Sequence, residues 1–102
     1  MQNDKYKIKL NINQLRVVYE LIQCSTTIPV KNMQHRLLIL HMIEIHKKLI
    51  PKWTYPAERT TVVFTATQAI AFYFMFNNED FFEPLTHATM KRILTEIHRQ
   101  FI

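Results

Sequence analysis

Residues 8–14, IKLNINQ, are matched 54 positions later by residues 62–68, VVFTATQ. A second match follows in the same order, because residues 44–50, EIHKKLI, correspond to residues 96–102, EIHRQFI, at an offset of 52. Matches that recur in order at nearly constant spacing are typical of an internal repeat. The chain therefore reads as two copies of one unit, the second of which has lost two loop residues.

Each matched stretch joins a predicted strand to a predicted helix. Tyr6, Ile8 and Leu10 alternate with lysines at the period of two expected of a strand with one buried face, and residues 60–64 are β-branched and aromatic. Asn11 and Thr65 follow the two predicted strands, and each of these residues is followed three positions later by a glutamine. That spacing is typical of a helix N-cap and its N3 partner, so a helix should begin directly after each strand.

The predicted fold class is mainly α with a small two-stranded β-sheet, in which a duplicated β-α-α unit has pseudo-two-fold symmetry. We expect one domain, residues 1–102, with the first repeat at about 5–50, an ordered linker at 51–59 and the second repeat at about 60–102. Prolines at both ends of the segment PKWTYP, residues 51–56, are the basis for the linker. Strands related by a two-fold axis that crosses them would pair antiparallel.

Hydrophobic periodicity predicts the four helices. The first should span about residues 12–23, and the third about residues 66–76; the second and fourth follow Pro29 and Pro84. The expected inner stripes are Leu15, Val18, Tyr19 and Ile22 in the first helix, Leu38, Met42, Ile45 and Leu49 in the second, and Met90, Leu94, Ile97 and Phe101 in the fourth. The third helix is apolar on all sides, so other elements or a second subunit must enclose it.

Composition excludes several kinds of site. The chain has no glycine, so the glycine-dependent P-loop, Rossmann fingerprint and nucleophile elbow are ruled out. Cys24 is the only cysteine, which excludes an intrachain disulfide and a thiolate cluster, and we expect it to be a buried, inert thiol. No secretory h-region or membrane-length apolar run is found, so a cytoplasmic location is expected.

Four histidines recur at matching places in the two halves, at His35, His46, His87 and His98. Two that share a helix are 11 residues apart, about 16 Å along its axis, so they cannot bind one metal ion. Whether histidines from different helices converge in space is left open by the sequence. We expect structural or surface histidines, no metal, no cofactor and no enzymatic activity.

The first functional hypothesis is a protein-interaction or assembly module that associates with itself as a two-fold homodimer. It is based on the apolar third helix and on aromatic residues outside the helices, and the candidate partner contacts are Trp53, Tyr55, Phe81 and Phe82. Folding of these aromatics back over the core is the alternative. The surface expected to find a partner shows several of Phe72, Phe74, Phe76, Phe81 and Phe82.

The alternative hypothesis is a small basic nucleic-acid-binding protein. Residues 1–52 carry nine Lys/Arg against three Asp/Glu, whereas residues 53–102 carry four against five, so the basic character belongs to the first half. The segment between the first two helices is too long for a helix-turn-helix and contains a proline. The candidate anion contacts are Lys7, Lys9, Arg36, Lys47 and Lys48.

Overall fold

The computed structural model describes residues 5–102. Its elements in chain order are β1 (Lys5–Asn11), α1 (Ile12–Ser25), α2 (Met33–Thr54), β2 (Arg59–Thr65), α3 (Ala66–Phe76) and α4 (Pro84–Phe101). The prediction of a mainly helical fold with a small two-stranded sheet is confirmed, as is the order of the elements. None of the helices in the described residues has the length and hydropathy needed to cross a bilayer.

The two strands pair antiparallel and form a sheet that we call the ribbon. Lys5 lies opposite Thr65 at one end, Asn11 lies opposite Arg59 at the other, and the central pair is Ile8 with Val62. Alternate residues of β1 are buried and exposed in strict succession. The ribbon therefore has an inner apolar face and an outer face that is open to solvent.

Both helices that follow the strands begin with the predicted capping box. The Asn11 side chain accepts a hydrogen bond from the Gln14 N–H at 2.8 Å, and the Gln14 side chain accepts one from the Asn11 N–H at 3.0 Å. Thr65 and Gln68 exchange the same two bonds at 3.1 and 3.0 Å. Each pair satisfies amides that a helix start leaves without a partner, which fixes the strand-to-helix junction.

The helices pack on the inner face of the ribbon and enclose a single core. Helix α1 contacts α2 and α4, and α3 also contacts α2 and α4. The fully enclosed side chains include Leu10 and Phe64 from the ribbon, Leu15 and Ile22 from α1, Met42, Ile45 and Leu49 from α2, Phe72 from α3, and Met90, Ile93 and Ile97 from α4. The predicted stripes are thus largely correct, with Tyr19, Leu38, Leu94 and Phe101 only partly buried at their margins.

Helix α3 is enclosed mainly by its own chain. Phe72 and Phe76 are buried, and Phe74 is the one large apolar residue of this helix that is exposed. The ribbon, α2 and α4 all contact α3, and together they cover most of its circumference. Of the five phenylalanines expected at an open surface, Phe74 and Phe82 are exposed, Phe81 is partly buried, and Phe72 and Phe76 are buried.

The predicted linker begins too early, because α2 continues through Pro51 to Thr54. Proline lacks an N–H, but the turn that contains it is held by other bonds: the Tyr55 N–H donates to the Pro51 carbonyl at 3.1 Å, and the Thr54 hydroxyl donates to the Ile50 carbonyl at 2.7 Å. Trp53 also stacks on Tyr19 with ring centroids 5.7 Å apart. Tertiary packing thus extends the helix beyond the point where the proline predicted its end.

Cys24 is exposed, which contradicts the expectation of a buried thiol. The buried stripe of α1 includes Val18, Ile22 and Ser25. Since successive helical residues are rotated by about 100°, Cys24 lies on the opposite side from Ile22. The polar Ser25 takes the buried place instead, and its hydroxyl donates to the Ile22 carbonyl at 2.6 Å.

Candidate nucleic-acid interface

The charged residues of the two strands lie on the outer face of the ribbon. This face holds Lys5, Lys7, Lys9 and Asn11 from β1, and Arg59, Thr61, Val63 and Thr65 from β2. All of these residues are exposed except the half-buried Val63. Four cations and no carboxylate therefore occupy the outer face of the ribbon.

The alternation of the sequence places these cations. In β1 the apolar Tyr6, Ile8 and Leu10 are buried, so the residues between them must point to solvent. The register then sets Lys7 opposite Val63 and Lys9 opposite Thr61. Because residues directly opposite one another in a ribbon are close neighbours, each of these lysines faces an uncharged partner and its charge is not neutralised across the strands.

Long side chains from α2 cover the β2 edge of the ribbon. The Lys48 ammonium donates to the Val63 carbonyl at 3.1 Å and to the Gln68 side-chain oxygen at 2.7 Å, and Lys52 reaches the Thr60 hydroxyl at 3.5 Å. Unpaired backbone groups at a sheet edge would otherwise invite pairing with another chain. Lys48 therefore supports the ribbon, while adding its charge at the margin of the outer face.

Side chains from α4 cover the opposite edge. The Arg92 guanidinium donates to the Lys9 carbonyl at 2.9 Å, and the Gln100 amide donates to the Lys5 carbonyl at 3.3 Å. Arg92 also borders a groove of about 390 Å³ at the end of the ribbon, together with Lys9 and Arg59. Three cations from three different elements thus converge around one groove.

Within residues 5–102, no carboxylate forms an ion pair with a cation of the outer face. Glu58 precedes β2 and is exposed, and Glu96 is paired with the Arg99 guanidinium at 2.6 Å. Burial raises the pKa of the Tyr6 phenol, the charge of Glu96 raises it further, and Arg92 opposes that effect. Glu96 therefore acts on a side chain of the inner face and is balanced by its own arginine.

The structure brings together three of the five predicted anion contacts, namely Lys7, Lys9 and Lys48. Arg36 precedes Lys48 by 12 residues on the same helix, about 18 Å along its axis, and Lys47 is exposed on another side of that helix. Three cations of this surface, Lys5, Arg59 and Arg92, were not among the predicted anion contacts. Arg59 has the period-two spacing of the outer face, whereas Arg92 is placed there only by tertiary packing.

The four candidate aromatic contacts divide into two pairs. Trp53 and Phe81 are partly buried against the core. Tyr55 and Phe82 are strongly exposed, at 84% and 90% of their surface. The four residues therefore do not form one exposed aromatic cluster, although Tyr55 and Phe82 remain available to a partner.

Two of the four repeated histidines, His46 and His98, pack on aromatic rings. His46 packs on Tyr19 with ring centroids 5.2 Å apart, and His98 packs on Tyr73 at 5.6 Å. Within residues 5–102 no group of three or more His, Cys, Asp or Glu side chains is arranged to hold a metal ion. The two matching ring contacts give these histidines a packing role.

Comparison of the chain with models of known protein families, with curated proteins and with solved structures gives no match. The ribbon's own chemistry is therefore the basis for a functional interpretation.

Proposed function

We propose that this protein is a non-enzymatic nucleic-acid-binding module that holds duplex DNA against the outer face of the ribbon. The observation that carries the proposal is the row of Lys5, Lys7 and Lys9 beside Arg59, with no carboxylate among the outer-face residues. A polyanion gains affinity from such a surface because each neutralised phosphate releases condensed counterions.

The dimensions of the ribbon suit the major groove of B-DNA. Two paired strands lie about 4.8 Å apart, and a strand of seven residues is about 20 Å long. The major groove is about 12 Å wide and about 8.5 Å deep, and it admits a two-stranded β-ribbon. Helices pack on the inner face of this ribbon and their side chains cover its two edges, so the outer face is the side left to enter a groove.

The side chains of the outer face match the groups that a major groove displays. Lysine donates to the N7 and O6 acceptors of guanine, and the methyl groups of threonine and valine contact the methyl of thymine. Lys7, Lys9, Thr61 and Val63 stand at the centre of the ribbon, where base edges would lie. Arg92 and Lys48 at the two edges are placed for phosphates, which position a protein without specifying sequence.

We also infer that the two halves are copies related by a pseudo-two-fold axis through the ribbon. Ile8 is paired with Val62, the residue that the sequence offset of 54 makes its equivalent. Two strands related by a two-fold axis meet in this way, with the axis passing between equivalent residues. The matching Tyr19–His46 and Tyr73–His98 contacts support the same relation.

The proposal is tested by fluorescence anisotropy with a labelled mixed-sequence duplex over a series of salt concentrations. We expect affinity to fall steeply with salt, and the variant Lys7→Gln/Lys9→Gln to flatten the log–log slope by about 1.8. At 0.1 M salt that change corresponds to roughly 60-fold weaker binding by the same relation. A single strand of the same sequence should bind more weakly than the duplex, because it offers no major groove.

The matched control is Lys31→Gln/Lys91→Gln, which removes the same charge from exposed positions away from the ribbon. Its slope should stay within about 0.5 of the wild-type value, because distant charges make no phosphate contact. Equal weakening by both double variants would show non-specific attraction to net charge. A preference for the single strand would exclude docking in the groove.

A further inference from the structure

Helix α2 carries apolar residues on two opposite sides. Met42, Ile45 and Leu49 face the core and are fully buried. Met33, Leu37 and Leu40 are spaced at i, i+4 and i+7 and are exposed to 86%, 57% and 47%. At about 100° per residue, this second set lies almost opposite the first.

We define the α2 outer face as the residues from 33 to 47 that lie within about 60° of Leu40, which are Met33, Arg36, Leu37, Leu40, Ile43, Glu44 and Lys47. All are exposed except the half-buried Ile43. The outer side of α4 is different, since its exposed residues there are Ala88, Lys91, Arg92, Thr95 and Arg99. An apolar outer face is thus a property of one helix and not of the fold.

We propose that the α2 outer face is a self-association surface, on which α2 of a second copy packs antiparallel about a two-fold axis at Leu40. A two-fold interface must be self-complementary, since the same patch serves both subunits. With the axis at Leu40, this residue meets its own copy, and Leu37 of each chain lies at the height of Ile43 of the other, beside the central leucines. The apolar residues of one helix then cover those of its partner.

Charge complementarity selects this antiparallel arrangement. The same axis brings Arg36 of each copy to the height of Glu44 of the other, so two pairs of opposite charges lie beside the apolar centre. Glu44 is held in place by its contact with the His41 ring nitrogen at 2.8 Å and keeps 57% of its side chain exposed. A parallel arrangement would instead set like charges opposite one another.

A second copy of this chain fits the face better than nucleic acid does. Leu37 and Leu40 offer no donor to a phosphate, and exposed large apolar side chains at helical spacing are typical of an interface between helices. Ile28 and Val30, in the segment that leads into α2, are also exposed and extend the apolar surface.

Sedimentation equilibrium of the full chain without nucleic acid tests the proposal. We expect a reversible dimer at micromolar concentration, and at least a tenfold increase in its dissociation constant for Leu37→Asp. The matched control is Phe82→Asp, at a residue more exposed than Leu37 but outside the α2 outer face. It should leave the dissociation constant within about threefold of the wild type, with circular dichroism used to verify that both variants are folded.

A charge exchange tests the register independently of the apolar contacts. Arg36→Glu and Glu44→Arg should each raise the dissociation constant at least fivefold, because each places like charges opposite one another. The double variant restores both pairs with inverted sign and should recover to within about threefold of the wild type. If Arg36 and Glu44 do not interact across the interface, the dissociation constant of the double variant should not return toward the wild-type value.

Three outcomes would overturn the proposal: a wild-type monomer at every concentration up to 0.5 mM, a dimer that Leu37→Asp leaves unchanged, or a dimer that Phe82→Asp dissociates. The last would assign self-association to the aromatic residues around Phe82. Because nucleic acid is absent from the experiment, each result is independent of whether the ribbon binds DNA.

Discussion

The first half of the chain, β1-α1-α2, and the second half, β2-α3-α4, share their interior and differ on their surface. In each, a strand runs into a helix through a capping box, and a tyrosine of the first helix packs on a histidine of the second. On the ribbon, however, β1 presents three lysines where β2 presents Arg59, Thr61 and Val63. The cations and the apolar α2 outer face both belong predominantly to the first half.

This difference follows from what each position must satisfy. An inner position is constrained by core packing, so substitution there is limited to side chains of suitable volume. An outer position is constrained only by solvent or by a partner. Under the proposed duplication, the frame is common to both halves, and the two halves have diverged at the surfaces that we propose for binding.

The largest expected effect tests whether the halves share one core. Leu10 and Phe64 are equivalent at the offset of 54, and both are fully enclosed. We expect Leu10→Ala to cost about 2–5 kcal/mol and Phe64→Ala about 3–5 kcal/mol, because each leaves a cavity under the ribbon. Urea unfolding monitored by circular dichroism measures both.

Thr61→Ala on the outer face is the control and should change the unfolding free energy by less than about 0.5 kcal/mol, as is usual for surface sites. If either core variant cost less than about 1 kcal/mol, that half would not contribute to a shared core. Separate unfolding transitions for the two variants would lead to the same conclusion.

The sequence contains the local determinants of this fold. Alternation in β1 and the spacing of Asn11 with Gln14 and of Thr65 with Gln68 involve neighbours in the chain, so the strands, the helix starts and the lysine row were predictable. The end of α2 was not, because the stacking of Trp53 on Tyr19 outweighs the effect of Pro51. Local propensity is a weak constraint when tertiary contacts oppose it.

The candidate site was predicted only in part, for a physical reason. Lys7 and Lys9 follow from alternation, but Arg92 reaches the Lys9 carbonyl from 83 residues away in the chain, and no local pattern indicates that contact. The α2 outer face is visible in the sequence as Met33, Leu37 and Leu40 at helical spacing. Periodicity alone does not say which of two opposite apolar stripes faces the core.

The two capping boxes should differ in how much they contribute to the free energy of unfolding, and this is the effect of intermediate size. Gln14 and Gln68 are equivalent, but Gln68 is buried and also accepts a hydrogen bond from the Lys48 ammonium, whereas Gln14 makes only the cap. Gln14→Ala should cost up to about 1 kcal/mol, and Gln68→Ala about 1–2 kcal/mol more, since bonds to charged groups are stronger.

A double-mutant cycle with Lys48→Met tests whether the additional cost of Gln68→Ala comes from the contact between Gln68 and Lys48. The coupling between Gln68→Ala and Lys48→Met should be at least about 0.5 kcal/mol, as for residues in direct contact. Lys48→Met combined with Gln14→Ala should be additive. Equal costs for the two glutamine variants would mean that the α2 contact adds nothing to the second cap.

The smallest expected effect concerns the starts of the second helix in each half. Helix α2 is capped by the Asn32 amide, which accepts from the His35 N–H at 2.8 Å. Helix α4 is capped by the Glu83 carboxylate, which accepts from the Thr86 hydroxyl at 2.6 Å and from its N–H at 2.7 Å. These bonds hold the pKa of Glu83 below its ordinary value of 4.5. An amide cap does not titrate in this range, so only the second half has a pH-dependent helix start.

Because the pKa of Glu83 is lower in the folded state than in the unfolded state, its contribution to stability is present above pH 4.5 and is lost as the pH falls through the folded value. Unfolding free energies of the wild type, Glu83→Gln and Asn32→Asp between pH 5.5 and 3 measure it. Other carboxylates titrate alike in all three proteins, so the differences isolate the caps. Glu83→Gln should lose less stability on acidification than the wild type, and Asn32→Asp should lose more, because it gives the first half a titrating cap as well. Identical pH profiles for the wild type and Glu83→Gln would show that the Glu83 carboxylate bonds its helix no better when ionised than when neutral.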